Sequence, residues 1–162
     1  ARQLRWARLS TAMLPLGDLS WCGIGVLLQV KRCNNTPNTH PNINPSLSGT
    51  PIHLTPGRAE VHLATSELMV ADGRGLIHGG FVFSSLDYAA MLAVNDPNVV
   101  LGAADLRFVA PVRLGDVVHC LAEVVEEKGK KRHVSVVASV GDREVVRGTM
   151  TAFVLDRHVL DG

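Results

Sequence analysis

Residues 76–94 read Leu-Ile-His-Gly-Gly-Phe-Val-Phe-Ser-Ser-Leu-Asp-Tyr-Ala-Ala-Met-Leu-Ala-Val, and Asp87 is the only side chain with a formal charge among them. From Gly80 to Asn95 the spacing is helical and apolar on nearly every side. That predicts a helix enclosed by other structure rather than one laid on a surface. Asp96-Pro97 ends it. His78-Gly79-Gly80 opens it, and a helix N-terminus presents N–H groups that can hold an anion. A lone carboxylate in such surroundings is costly to bury, so its presence asks for a reason. A carboxylate and an oxyanion-binding turn on one short segment are two parts of a hydrolytic site.

Outward from this helix the chain alternates. Pro56-Gly57 is a turn, and Arg58 to Thr65 places Ala59, Val61 and Leu63 on one side, as in a half-buried strand. Ala71 to Gly75 is a loop. After the helix come strand-like runs at Val99 to Ala110, Val117 to Glu126, Arg132 to Val140 and Glu144 to Leu155. Lys128-Gly129-Lys130 and Gly141-Asp142 supply tight turns between them, so the strands pair antiparallel. The order of elements predicts an α+β fold: one curved antiparallel sheet wrapped around one long buried helix. The chain is short for full enclosure, so a second copy is expected to complete the burial.

At 162 residues one domain is expected, with room for a core. A net charge of +1 gives no general attraction to nucleic acid or anionic membrane, and 4% aromatics weakens base stacking. Cys22, Cys33 and Cys120 are odd in number and widely spaced, so neither a disulfide framework nor a metal cluster is implied, and a cytoplasmic setting is expected. The histidines elsewhere show no metal-ligand spacing. Residues 1–42 read as a poorly ordered extension and linker, with the working domain at 43–162. Three arginines stand in Ala1 to Ser10, and Asn34 to Asn42 is rich in Asn, Thr and Pro. A basic start before an apolar run is leader-like, but Asp18 interrupts it. The unbroken run from Leu19 to Val30 is about 12 residues, where a membrane span needs about 20.

The stretch Gly75-Leu76-Ile77-His78-Gly79-Gly80-Phe81-Val82-Phe83-Ser84-Ser85-Leu86-Asp87 resembles the HGG…D signature of hotdog-fold acyl-CoA thioesterases, notably the phenylacetate-pathway type. Asp105 to Asp116 is similar to the family's strand–Pro–x–x–x–Gly–Asp segment, and Val146-Arg147-Gly148-Thr149 resembles its last strand. The resemblance implies a homodimer, often a pair of dimers forming a homotetramer, with active sites at the dimer interface. It implies that the thioester carbonyl sits against the Gly79 N–H. The acid, Asp87, is then supplied by the partner subunit and serves as general base or nucleophile. Six residues before His78, where related members carry a polar group that helps hold the water, this chain has Asp72. The Ser or Thr that assists the acid in some members has no match near Leu101 to Ala103. Coenzyme A enters as part of the substrate, and no other cofactor is implied.

Each candidate has a plainer alternative. The helical neighbours of Asp87 are Phe83, Ser84, Ala90 and Met91, mostly apolar, so desolvation should raise its pKa toward that of a working base. Otherwise it is a structural carboxylate bonded to Tyr88, to Ser84 or to a helix end across the dimer. Gly79 and Gly80 admit substrate close to the backbone, or only make a turn. His78 is expected to position or cap, because nothing pairs with it to activate a nucleophile, and it stands as a secondary catalytic candidate beside Asp87 and Gly79. Ser84 is not in a G-x-S-x-G elbow but could touch the acyl group. Tyr88 lines an acyl pocket or fills core. Lys128, Lys130, Lys131 and Arg132 make a basic turn, either a solvated tip or an attraction for the coenzyme A phosphates. Two other functions stay open: an acyl-CoA-binding sensor or scaffold without turnover, and a dehydratase, which would need a catalytic His with a carboxylate.

Overall fold

The structure, a computed structural model, describes residues 36–161. Six strands form one sheet: β1 (Thr50–Thr55), β2 (Arg58–Ala64), β3 (Val99–Phe108), β4 (Val117–Lys128), β5 (Lys131–Val140) and β6 (Arg143–Val154). Their spatial order is β1-β2-β4-β5-β6-β3, and every neighbouring pair is antiparallel. A one-turn helix, α1 (Pro45–Ser48), precedes the sheet, and the long helix α2 (Gly79–Val94) joins β2 to β3. Register slips at Pro51/His53, Leu101/Ala103, Val124/Glu126 and Ala138/Ser139 bend the sheet around α2.

The expectation of five strands is corrected to six. Pro51 argues against a strand in Thr50–Thr55, because proline lacks the N–H a ladder needs. β1 escapes that penalty by lying at the edge of the sheet, where one side has no ladder to complete. α1 has no signal beyond Pro45 at its first turn and Asn44, whose Oδ1 accepts from the Ser46 N–H. The long helix begins one residue earlier than its apolar spacing indicates. Asn95, at φ +52°, closes it as a left-handed cap, its N–H donating to Met91 O. The β4–β5 turn contracts to Gly129-Lys130, with Gly129 at φ +57°.

The core lies between α2 and the concave face of the sheet. Ala59, Val61 and Leu63 of β2, Val118, Cys120 and Ala122 of β4, and Val134, Val136 and Ala138 of β5 meet Val82, Leu86, Ala89, Ala90, Leu92 and Ala93. The alternation of each strand explains this: every second residue faces the helix. The alanines on α2 let the helix settle close to the strands. Two glycines allow closer approaches still. A Cβ at Gly148 would stand 2.0 Å from the Asp105 carbonyl oxygen across the β6–β3 ladder. A Cβ at Gly49 would stand 2.6 Å from Val61 Cγ1.

The sheet does not close over α2 on the β3 side. β3 is an edge, and residues 102–105 on it are exposed. Phe108 faces the helix start yet is 55% exposed. Residues 1–35 lie outside the described residues, and so does most of the expected extension. Its last part is placed: Thr39 is buried, and the Asn38 N–H donates to Asn95 Oδ1 at 2.7 Å. Among the described residues no helix is long and apolar enough to cross a membrane.

Candidate active site

The helix start separates its two glycines. His78 is the N-cap, and its Nδ1 accepts from the Gly80 N–H at 3.0 Å. That bond occupies Nδ1, so the His78 side chain caps the start of the helix. The His78 O also accepts from the Phe81 N–H at 3.1 Å. No group among the described residues takes up the Gly79 N–H, which leaves it to an outside acceptor. A Cβ at Gly79 would lie 3.2 Å from the Phe108 ring, so glycine keeps this amide approachable. Beside it opens an apolar cleft of about 320 Å³ walled by Leu76, Ile77, Val82, Phe108, Val112 and Val146.

Asp87 lies on the side of α2 that the sheet leaves half-open, with Phe83 and Ser84. Its Oδ1 is buried and has no hydrogen-bond partner among the described residues. Burial pushes the carboxyl up to about 6 from an ordinary 3.8. An unpartnered oxygen of this kind is the state a general base needs before water arrives. Asp87 and Gly79 do not meet within one chain: eight helical positions separate them, about 12 Å along the axis.

The other candidates divide. Ser84 shares a hydrogen bond of 2.8 Å with Ser48 of α1. Tyr88 belongs to the buried core, where burial raises its hydroxyl pKa, and it does not line the cleft beside Gly79. Asp72 is exposed, and its Oδ1 accepts from the Arg74 N–H at 2.9 Å and the Leu76 N–H at 3.1 Å. It shapes the loop that leads into His78. Lys130 pairs with Asp156, and Arg132 donates to Gly129 O at 2.6 Å and faces Glu127 at 3.4 Å. Lys131 sits opposite Phe153, which sits opposite Val100, near the start of β3; Gly79 sits beside Phe108 at its end. Eight strand residues, about 26 Å, therefore separate the basic tip from Gly79 in the same chain. The cleft walls Val112 and Val146 and the contact at Ser48 carry no signal in the sequence, because each arises where distant segments meet.

A family model described as thioesterase superfamily matches residues 74–147, which hold both His78-Gly79-Gly80 and Asp87. A crystal structure of a Pyrococcus horikoshii protein superposes with a TM-score of 0.77 at 45% identity, covering 78% of this chain and 97% of that one. A hypothetical thioesterase protein from Streptococcus pneumoniae, solved with coenzyme A, gives 0.61 at 20% identity, covering 67% and 87%. The Escherichia coli PaaI protein of the phenylacetic acid degradation operon gives 0.64 at 21%, covering 69% and 83%. These last two show the shared fold. Among curated relatives, methylthioribose-1-phosphate isomerase of Aquifex aeolicus is 51% identical over 73% of this chain and 26% of its own length. The transcription factor FapR of a Thermoanaerobacter species is 30% identical over 59% of this chain and 48% of its own. The chain thus spans half or less of the curated relatives it matches. With its family match, its six-stranded antiparallel sheet wrapped on one helix, and the near-complete coverage of the Pyrococcus structure, the chain belongs to the thioesterase superfamily and has the hotdog fold.

Proposed function

We propose that this protein is an acyl-CoA thioesterase that works as a dimer, each site joining the Gly79 N–H of one subunit to Asp87 of the other. The observation that carries the reading is the buried Asp87 oxygen without a partner, on the helix face that one sheet leaves half-open. Two groups about 12 Å apart on one rigid helix cannot both reach a single carbonyl, so the second must come from another copy. The exposed edge of β3 offers the means: twofold pairing of this strand with itself runs antiparallel and brings two open sides together.

In this arrangement the thioester carbonyl accepts from the Gly79 N–H, which holds the negative charge that develops on oxygen. The partner subunit's Asp87 takes a proton from water as the water oxygen bonds to carbon. The C–S bond then breaks, the thiolate leaves and is protonated, and a free acid remains. In the nucleophilic variant the Asp87 carboxylate attacks first, and water opens the resulting anhydride. The acyl chain lies in the apolar cleft by Phe108. Antiparallel pairing of β3 also carries the start of one strand toward the end of the other. The partner subunit's Lys130, Lys131 and Arg132 then approach the cleft mouth, where the coenzyme A phosphates would attract them. The reaction asks for no metal or redox group. The free, buried thiol of Cys120 accords with a cytoplasmic setting.

The test is release of free thiol from aryl, short-chain and long-chain acyl-CoAs by the purified protein. Asp87→Asn should lower kcat at least about 10²-fold with the dimer retained in sedimentation. The likeness to FapR favours a second reading, ligand binding without turnover. Acyl-CoA bound tightly by a dimer that releases no thiol would establish that reading and end the first.

A further inference from the structure

The hydroxyl one turn before Asp87 is already engaged elsewhere. Ser84 stands three positions before Asp87 on the same half-open side of α2, the spacing at which helical side chains are neighbours. Its Oγ nevertheless turns toward α1, where it shares a 2.8 Å hydrogen bond with Ser48. Ser48 is the buried residue of that single turn, 6% exposed, and is locked in place by its N–H donating to Asn44 O at 3.0 Å. Asp87 Oδ1, meanwhile, has no donor. Short hydroxyl side chains in helices readily bond to nearby acceptors, and a carboxylate one turn away is a strong one.

We propose that Ser48 is a positioning residue: by holding the Ser84 hydroxyl against α1, it keeps that donor off Asp87 and reserves the carboxylate oxygen for the attacking water. The assignment rests on Asp87 being the base. Among the described residues Asp87 Oδ1 has no hydrogen-bond partner, and the titratable groups on the two edge strands packed on α2, His53 of β1 and Asp105 and Arg107 of β3, are exposed. β2 contributes Ala59, Val61 and Leu63, β4 Val118, Cys120 and Ala122, β5 Val134, Val136 and Ala138, and β6 Val146, Met150 and Ala152. Cys120 is the one titratable group among them, and burial pushes its thiol up to about 11, so it stays neutral. On α2 itself Tyr88 is likewise held neutral, its hydroxyl raised by burial. A serine hydroxyl is therefore the available competitor for the Asp87 oxygen.

The experiment follows the titration midpoint of the Asp87 carboxyl by carbon NMR, alongside the acid limb of the rate of thiol release. Ser48→Ala should free Ser84 to donate to Asp87 and lower both midpoints by about one pH unit, the size of one hydrogen bond to the charged form. Removing the freed donor as well, in Ser48→Ala with Ser84→Ala, should restore the original midpoint. Ser84→Ala alone should leave the carboxyl titration where it was. The proposal falls if Ser48→Ala leaves the midpoint in place, as when Ser84 turns instead to the carbonyl one helical turn back. It also falls if the double variant keeps the shift, or if Ser84→Ala alone raises the midpoint, which would mean Ser84 already donates to Asp87. Should Ser48→Ala not fold, Ser48→Cys, which keeps the size but hydrogen-bonds weakly, takes its place with the same expected downward shift, and a raised midpoint in Ser84→Ala still overturns the proposal. Asp87→Asn separates the two ideas: full activity in that variant removes the base itself, whereas a dead Asp87→Asn with an unmoved Ser48→Ala removes only the role of Ser48.

Discussion

Replacing Asp87 by Asn should make the protein more stable above pH 6 and leave its stability unchanged in acid. Burial holds the Asp87 carboxyl at about 6 in the folded chain, against 3.8 when exposed. The folded state therefore keeps its proton more tightly than the unfolded state. Stability from this group is fully present below pH 3.8 and is lost as pH rises through about 6. A shift of about two pH units corresponds to about 3 kcal/mol of folding free energy, given up by the native chain at neutral pH. Asn copies the shape of the protonated acid and cannot ionise, so the variant keeps what the native chain loses. The assay is urea unfolding of both proteins at equal protomer concentration from pH 3.5 to 8, because dimerisation makes stability concentration-dependent. The gap should be near zero at the acid end and reach about 3 kcal/mol, or about 10 °C in Tm, above pH 7. A gap that does not change with pH, or an Asn variant that is weaker at pH 8, would show that the carboxylate is not paying for its burial and would refute the reasoning. A more stable variant that has lost its rate is the expected mark of a working acid in an unfavourable place.

Three further outcomes are expected. The kcat/KM for thioester hydrolysis should fall about tenfold per pH unit below about 6, because only the ionised form of Asp87 accepts a proton; a flat profile from pH 5 to 8 removes it as the base. Gly148→Ala should destabilise by about 1–3 kcal/mol or more, since its Cβ would stand 2.0 Å from the Asp105 carbonyl oxygen; an unchanged urea midpoint would show that β3 and β6 separate freely there. Phe108→Ala removes a half-exposed cleft wall rather than core, so it should shift the preference among acyl chain lengths, read as kcat/KM ratios, with little change in unfolding midpoint.

Much of the fold was legible in the chain because its signals are local. The alternation at Ala59, Val61 and Leu63 marks β2, and Gly129 and Gly141 mark turns that must take positive φ. β1 was not legible, because Pro51 signals against a strand and only a place at the sheet edge makes it harmless. In the same way His78, Gly79 and Gly80 were recognisable as an anion-binding start, but not their division of labour. Tyr88 and Ser84 looked equivalent as neighbours of Asp87; packing buries the first in the core and ties the second to Ser48.

The sequence by itself determined the order of elements, the enclosed helix, and a single acid eight positions beyond a glycine amide. Periodicity and turn chemistry act over a few residues, so one dimension contains them. Only the tertiary structure decided that His78 occupies the Gly80 amide and leaves that of Gly79 open, that the sheet stops short of covering Asp87, and that the basic turn lies at the far end of β3 from its own glycines. Those facts depend on which distant segments pair and where the ladder ends, and burial, which sets the proton affinity of Asp87, exists only once the sheet has packed against the helix.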